Sequence, residues 1–366
     1  MNFPPSIFPH TRKSIPVISV FIFILIFSLT VCAVDPSYKM DFDGDGKTDL
    51  AVYRPGQRGI FPFQESYFYI LGSQTGQIIT HQWGRAYDIH APADYDGDGK
   101  TDVAVFRWLE NDLTPSASDF YVKNSAGGTT TTRFSGFGNI VSRNYFNDAK
   151  AEIALFDRYN SSEDPINPCY IMAFFIKAAG TNFALKKDVT DYCLPDRQYI
   201  TPAVFDYNGS GDSDLAVFVQ PAPDAPNGDS PGLSEPLNNH FNLWWSPVSP
   251  QYTPPDVVVY MDVDYPIPGD YDGDGIGDFA GSKNVNGNRL WRIRKSTGGG
   301  IVETMFGSSS DYAVPGDYDG DGKTDIAVYR SGTWFILQSS DGQMVGRVFG
   351  TATDIPLTMP NSNIYH

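Results

Sequence analysis

Residues 317–330, DYDGDGKTDIAVYR, decide the fold because the same pattern recurs along the chain. Similar segments begin at Asp41, Asp94, Asp206 and Asp270, and a degenerate sixth copy, NYFNDAKAEIALFD, begins at Asn144. Successive copies start 53, 50, 62, 64 and 47 residues apart. A period of this size is typical of repeat architectures, in which each repeat forms one supersecondary unit.

Each intact copy places carboxylates at loop positions one, three, five and nine and glycines at positions four and six. Four carboxylates this close repel one another unless a cation binds between them. An all-oxygen ligand set on a glycine-turned loop suits calcium, and the backbone carbonyl at position seven supplies a further oxygen. The predicted ligands of the four acid-rich loops are Asp41, Asp43, Asp45, Lys47 and Asp49; Asp94, Asp96, Asp98, Lys100 and Asp102; Asp270, Asp272, Asp274, Ile276 and Asp278; and Asp317, Asp319, Asp321, Lys323 and Asp325.

The two remaining copies depart from this pattern. A weaker calcium site is predicted at residues 206–214, where neutral oxygens replace two carboxylates; its ligands are Asp206, Asn208, Ser210, Asp212 and Asp214. We expect the copy at residues 144–152 to have lost its site. There, Phe146 and Ala149 replace a ligand and a glycine, although Glu152 keeps the last acidic position.

The residues after each loop predict strands. An EF-hand would need a glutamate at position twelve and flanking helices, but Val52, Val105 and Val328 hold that position within short β-branched and aromatic runs. The last repeat continues with a strand, a turn at residues 331–332, a strand, a turn at residues 340–342 and another strand. We therefore predict an all-β propeller of four-stranded blades, with the calcium loop between the first and second strands. Six blades are expected, with seven as the alternative.

Two segments compete to close the ring against the first blade, residues 354–359 and residues 37–41.

Other positions also repeat. Cations stand thirteen residues after four loop starts, at Arg54, Arg107, Lys283 and Arg330. They form either a basic ring for an acidic ligand or, as we favour, ion pairs with the recurring Asp88, Asp264, Asp311 and Asp354. Aromatic residues also recur at equivalent positions of the third strand, and this recurrence predicts packing within the blades. They are Phe68, Phe120, Trp244, Trp291 and Trp334.

Insertions between the second and third strands gather on the face opposite the calcium loops. They cover residues 56–66, 108–119, 160–168 and 221–239. Long loops on one face of a rigid scaffold commonly carry binding function. The aromatic residues in these insertions that are candidates for stacking on a sugar are Phe61, Phe63, Trp108 and Tyr159.

The N-terminus predicts export. Arg12 and Lys13 precede an uncharged run over residues 17–31 and a small-residue cleavage site, so residues 1–33 are expected to be a secretory signal peptide and residues 34–366 a single domain. An uncleaved anchor is the alternative. Beyond residue 33 only Cys169 and Cys193 remain, which predicts a disulfide in an exported protein, with two free thiols as the other reading. The net charge of −17 makes nucleic acid an unfavourable partner.

The chain resembles the FG-GAP or VCBS-type repeat of extracellular β-propellers, as at the head of integrin α-chains. The features that carry the resemblance are the DxDGDGxxD loops, the pairs Trp83-Gly84 and Phe306-Gly307, and the prolines two residues before loop starts. The resemblance covers residues 35–360 and implies a secreted, cell-surface or periplasmic module that binds an extracellular glycan or protein. No catalytic motif stands out, so an enzyme is not expected. The alternatives are a polysaccharide-degrading enzyme on a propeller scaffold and a purely structural cell-surface module.

Overall fold

A computed structural model describes residues 39–59, 62–109, 117–135, 138–146, 148–160, 170–177, 184–189, 198–221, 238–245 and 254–358. These residues form six antiparallel sheets of four strands, which we number as blades in chain order. The prediction of six four-stranded blades is confirmed. No helix occurs in the described ranges, and so none there could cross a membrane.

In each blade the first strand pairs with the second, the second with the third and the third with the fourth. Blade 1 consists of β24 (Ile355–Pro356), β1 (Leu50–Arg54), β2 (Glu65–Leu71) and β3 (Ile78–Arg85). Blade 2 consists of β4 (Ile89–His90), β5 (Val103–Leu109), β6 (Ala117–Lys123) and β7 (Thr129–Ser135). Blade 3 consists of β8 (Asn139–Ile140), β9 (Ile153–Asn160), β10 (Tyr170–Lys177) and β11 (Ala184–Asp188). Blade 4 consists of β12 (Gln198–Pro202), β13 (Leu215–Pro221), β14 (His240–Trp244) and β15 (Val257–Tyr260). Blade 5 consists of β16 (Tyr265–Pro266), β17 (Phe279–Val285), β18 (Asn288–Arg294) and β19 (Ile301–Ser308). Blade 6 consists of β20 (Tyr312–Ala313), β21 (Ile326–Arg330), β22 (Thr333–Leu337) and β23 (Met344–Val348).

Both chain ends contribute to closure of the ring. Ile355 and Pro356 pair with β1, and the Leu357 N–H donates to the carbonyl of Ala51 at 2.8 Å. The next position of this inner edge comes from the other end of the chain, where Asp49 N–H donates to the carbonyl of Met40 at 2.8 Å. The C-terminal strand was therefore predicted correctly, although it is shorter than residues 354–359. The two candidate segments are complementary rather than exclusive.

The core of each blade lies where its second strand meets the recurring strand-three aromatic residue. Tyr53 and Phe68 pack with ring centroids 4.9 Å apart, and Tyr329 and Trp334 do so at 5.1 Å. The corresponding residue in blade 4 is Phe241, which is the register partner of Phe218, and not Trp244. The prediction of Trp244 was wrong because the insertion before β14 hides the strand-three register in the sequence.

The glycine of the Phe-Gly or Trp-Gly pair forms the joint between blades. Gly84 and Gly307 are the second-last residues of the outer strands β3 and β19 and have φ of 89° and 86°, a conformation that glycine adopts without strain. A Cβ on Gly84 would lie 2.9 Å from Val105 in the next blade, and one on Gly307 would lie 2.8 Å from Val328. The glycine is therefore required by both the backbone turn and the close approach of the neighbouring blade.

Candidate metal sites and the opposite face

Backbone hydrogen bonds hold each acid-rich loop around its carboxylates. In blade 2, Asp94 accepts from the N–H groups of Gly97 at 2.7 Å and Gly99 at 2.8 Å. Asp102 accepts from the N–H of Tyr95 at 2.8 Å. The loop glycines at positions four and six have positive φ throughout, which allows the chain to wrap inward. The sequence thus builds a tight turn that points several carboxylates to one place.

The structure brings predicted ligands together in four clusters. In each cluster the candidate ligand atoms lie within 4.8 Å of one another. The clusters are Asp41, Asp43 and Asp45; Asp94, Asp96 and Asp102; Asp270, Asp272 and Asp278; and Asp317, Asp319 and Asp325. Four of the predicted carboxylates, Asp49, Asp98, Asp274 and Asp321, lie in the same loops but outside these clusters. Buried aspartates grouped in this way could hold metal ions, and an all-oxygen donor set is compatible with calcium.

Two observations test whether a cation fits these loops. The Oδ1 atoms of Asp43 and Asp272 are buried and have no hydrogen-bond partner among the described residues. A buried carboxylate oxygen without a partner is unfavourable unless something positive meets it. Burial also raises the pKa of Asp49 and Asp102 to about 6 and that of Asp278 to about 7, so each loop resists carrying its full negative charge alone. The residues present therefore fit a divalent cation.

A serine in the turn between the third and fourth strands completes each acid-rich loop. Ser125 N–H donates to Asp102 at 2.6 Å, and its Oγ donates to Asp98 at 2.7 Å. The equivalent serines in blades 1, 5 and 6 are Ser73, Ser296 and Ser339, which make the same two contacts with their own loops. The sequence predicts this turn in the last repeat but not the role of its serine, although the recurrence of serine at the start of the turn was a usable signal.

The six loops are joined to one another in a closed ring of backbone hydrogen bonds. In every case the N–H at loop position eight donates to the carbonyl at position one of the preceding blade. The bonds are Thr48 to Asp317, Thr101 to Asp41, Ala151 to Asp94, Ser213 to Asn144, Gly277 to Asp206 and Thr324 to Asp270, all of 2.6 or 2.7 Å. The degenerate loop of blade 3 takes part like the others. The ring of loops is therefore a feature of the backbone and not of the carboxylates.

Lysines at loop position seven reach across these joints. Lys100 Nζ donates to the carbonyl of Asp43 at 3.0 Å, and Lys47 Nζ donates to that of Asp319 at 2.8 Å. Lys150 and Lys323 cover the preceding loops in the same manner, since a Cβ on Gly97 or Gly273 would lie 3.0 or 2.8 Å from their Cγ atoms. The four loops covered by these lysines are the four acid-rich loops. Sequence reasoning considered only the position-seven carbonyl and missed this role of the side chain.

The two other loops keep the frame but change its interior. In blade 4 the Asn208 amide donates to Asp214 at 2.7 Å, and burial raises the pKa of Asp214 to about 8. In blade 3 Tyr145 N–H still donates to Glu152 at 2.7 Å, although Ala149 must adopt a φ of 64° where the other loops have glycine. Neither loop has a lysine at position seven of the next blade's loop. That position is Ile276 after the loop of blade 4 and Asp212 after the loop of blade 3.

The recurring cations form ion pairs on the opposite face, as favoured from the sequence. Three arginines make two-pronged contacts with aspartates: Arg54 with Asp354, Arg107 with Asp88 and Arg330 with Asp311, at 2.6 to 2.8 Å. Lys283 differs from the prediction. It pairs with Asp262 at 2.6 Å, while Asp264 accepts from the N–H of Asn284 at 2.7 Å. Lys283 therefore pairs with an exposed carboxylate, that of Asp262.

The predicted sugar-stacking residues are only partly described. Phe63 and Trp108 are 40% and 50% exposed on the face opposite the metal loops. Tyr159 lies in β9, but its side chain is not among those described, and Phe61 lies outside the described residues. Cys169 and Cys193 also lie outside them, so the disulfide stays a prediction.

Comparisons with known proteins agree with this architecture. A family model described as an FG-GAP-like repeat matches residues 41–105 and 270–328, which together contain all four acid-rich loops. No curated protein matches the chain. A solved structure titled "Crystal structure of the tricorn protease" is similar over 81% of this chain and 29% of that one, with 12% identity and a TM-score of 0.32. The matched repeats and the six four-stranded blades fit an FG-GAP-repeat β-propeller, a fold that suggests a binding module.

Proposed function

We propose that the protein is an exported, calcium-stabilised β-propeller that binds an extracellular glycan or protein as a recognition or adhesion module. The observation that carries this proposal is the difference between the two faces. Carboxylates and backbone hydrogen bonds occupy the loops of one face, which suits a structural role. The other face carries the long connections between second and third strands, together with exposed aromatic residues such as Trp108.

Calcium is the proposed ion of the acid-rich loops. When bound, it supplies the positive charge that offsets the clustered carboxylates. The predicted ligands would hold it, while the serines at the strand 3 to 4 turn orient the carboxylates of positions five and nine. At free calcium about 100 times the dissociation constant, each site would stabilise the fold by about 2.7 kcal/mol. The loop at residues 206–214 is proposed to bind more weakly and the loop at residues 144–152 not at all.

Export and processing belong to the same proposal. Residues 1–33 would act as a signal peptide, and residues 34–366 would form a single propeller domain outside the cytoplasm. A disulfide between Cys169 and Cys193 would tie the long connection of blade 3 to the segment before blade 4. Support comes from the charged and apolar pattern of the N-terminus and from the extracellular setting common to FG-GAP propellers.

The binding role is tested by presenting immobilised neutral polysaccharides, acidic polysaccharides and extracellular matrix proteins to the purified protein in calcium-containing buffer. Saturable binding to a member of this panel, with no new reducing ends released from the polysaccharides, is the expected result. Release of reducing ends would support the polysaccharide-degrading alternative and overturn the proposal. Absence of binding to any member would favour the purely structural role.

A further inference from the structure

A cluster of two arginines and two aromatic rings lies on the face opposite the metal loops. Phe63 and Tyr87 pack edge to face with centroids 5.9 Å apart. The Arg58 guanidinium lies 5.2 Å from the Tyr87 ring, and that of Arg85 lies 5.0 Å from the Phe63 ring. We call these four residues the arginine–aromatic cluster. Its rings are 40% and 48% exposed, so much of their area is open to solvent.

The backbone holds this cluster in place. Tyr87 accepts a hydrogen bond on its hydroxyl from Gly59 N–H at 3.1 Å, which ties the insertion of blade 1 to the turn before blade 2. Tyr87 has a φ of 74°, which is strained for an aromatic residue, whereas its repeat equivalents Ser310 and Thr353 do not have positive φ. Strain of this kind persists where the surroundings enforce it, and it concentrates at functional sites.

The two arginines of the cluster differ from the arginines of the repeat. Arg54, Arg107 and Arg330 each stack on a ring and also hold a carboxylate in the guanidinium plane. Arg58 and Arg85 stack on rings but form no ion pair with any described residue. Glu65 is the register partner of Arg85 across the β2–β3 ladder, yet the two make no ion pair. Among the described residues, no carboxylate therefore pairs with either arginine of the cluster.

We propose that the arginine–aromatic cluster binds an acidic polysaccharide built from uronate sugars, an inference that rests on the binding function proposed above. A guanidinium that stacks by its face still offers its N–H edge to a carboxylate, and the planar fork matches that group. The exposed rings between the two arginines present apolar faces to the sugar rings. A polymer with one carboxylate on each sugar supplies both features repeatedly.

Trp108 extends the same surface. It directly follows Arg107, whose ion pair with Asp88 at 2.7 Å fixes this end of β5 beside the turn that carries Tyr87. The β4–β5 register ends at the Ile89–Phe106 pair, so Tyr87 and Trp108 each lie two residues beyond it. The indole, which is 50% exposed, is placed to contact a sugar next to those held by the cluster.

Isothermal titration of the purified protein in calcium-containing buffer tests this proposal with three probes. The probes are oligogalacturonate, a neutral malto-oligosaccharide of equal length, and a poly-glutamate peptide. We expect binding to oligogalacturonate only. The double variant Arg58→Gln with Arg85→Gln should lower the affinity by at least about ten-fold, which corresponds to the loss of one or two charge-assisted hydrogen bonds. Arg347→Gln, an exposed arginine on the outer strand of blade 6, is the matched control and should have no effect.

The other outcomes separate this inference from the proposed function. Binding of another panel polysaccharide or protein without binding of oligogalacturonate would overturn the inference and leave the proposed function standing. Preference for poly-glutamate would assign the cluster to an acidic protein and overturn the glycan. Oligogalacturonate binding that is unchanged in the double variant would place the site elsewhere. Unchanged melting of each variant in calcium shows that lost binding does not reflect lost folding.

Discussion

The loops of blades 5, 6, 1 and 2 and those of blades 3 and 4 share one backbone frame but differ inside it. All six donate a position-eight N–H to the preceding loop, and in all six the last acidic residue accepts from the N–H at position two. Only the four acid-rich loops combine clustered carboxylates with a covering lysine from the next blade. The frame is therefore independent of the full carboxylate set.

This difference separates two contributions to the stability of the ring. Backbone hydrogen bonds position the loops. The carboxylates and lysines add electrostatic interactions, which are favourable overall when a cation is bound. Blades 5, 6, 1 and 2 are consecutive around the ring, so the four proposed strong calcium sites occupy one continuous arc. Blades 3 and 4 form the remaining arc, where packing and hydrogen bonds contribute most of the stability.

The largest expected effect comes from removing the buried acid of an acid-rich loop. Asp102→Ala should lower the free energy of unfolding by about 4 kcal/mol in calcium, because it removes the proposed site and leaves the N–H groups of Tyr95 and Ser125 unpaired. In chelator the loss should fall to about 2 kcal/mol, since only the hydrogen bonds are then affected. Urea unfolding in both conditions measures this. Equal losses of unfolding free energy in calcium and in chelator would show that this loop gains no stability from calcium, and would contradict the difference drawn between the two groups of loops.

A reciprocal exchange at position three sharpens the comparison. Asp43→Asn should remove about 2 to 3 kcal/mol of calcium-dependent stability, because the unpartnered Oδ1 of Asp43 is the proposed contact. Asn208→Asp should add calcium-dependent stability in blade 4, where the amide now donates to Asp214. The readout is the difference between unfolding free energies in calcium and in chelator. Asp341→Asn, at an exposed turn of blade 6, is the control and should change neither value. A stabilising Asp43→Asn in calcium would contradict the assignment.

A smaller effect is expected at the covering lysines. Lys100→Met should destabilise the protein by about 1 kcal/mol, and by more in chelator than in calcium, because the ammonium then faces uncompensated carboxylates across the blade joint. Ile276→Lys is the reciprocal variant, because it would give the loop of blade 4 the covering lysine that the acid-rich loops have. Thermal melts in both conditions measure these changes. A larger loss in calcium than in chelator would show that the lysine acts through the ion site instead.

The smallest effect is expected in blade 3. Ala149→Gly should stabilise the protein by about 1 kcal/mol, because glycine relieves the positive φ of 64°. The matched control is Ala151→Gly, a buried position without positive φ, which should be destabilising. Neither change should depend on calcium if this loop binds none. A calcium-dependent gain for Ala149→Gly would mean that a site persists in blade 3.

The fold was predictable because the repeat is local and close to complete. The loop, its two glycines and the strand after it recur within a few residues, so the number of blades and the position of the loops followed from the sequence. The ion pair of Arg54 with Asp354 was also predicted, since both residues recur at fixed spacing. Strand three of blade 4 was misassigned because a long insertion precedes it, and Phe241 rather than Trp244 takes the core position.

Contacts between blades were harder to predict. Lys100 at position seven contacts a loop residue 57 positions away in sequence, so its role is visible only once neighbouring blades are placed. The arginine–aromatic cluster has the same origin. Arg58 and Phe63 come from an insertion without a repeat equivalent, whereas Arg85 ends β3 and Tyr87 lies in the turn after it, and no periodic signal joins them. Periodicity predicts the residues that all blades share, but it gives no information about residues that occur in one blade alone.

The most direct test of the central claim is a thermal melt of the protein in chelator and in millimolar calcium, with bound metal counted on the same samples. We predict four tightly bound calcium ions, a fifth only at higher calcium, and a large upward shift of the melting temperature. Four sites at about 100 times their dissociation constants would contribute about 11 kcal/mol. Equal melting temperatures with no bound metal would contradict the account and leave the buried carboxylate clusters unexplained.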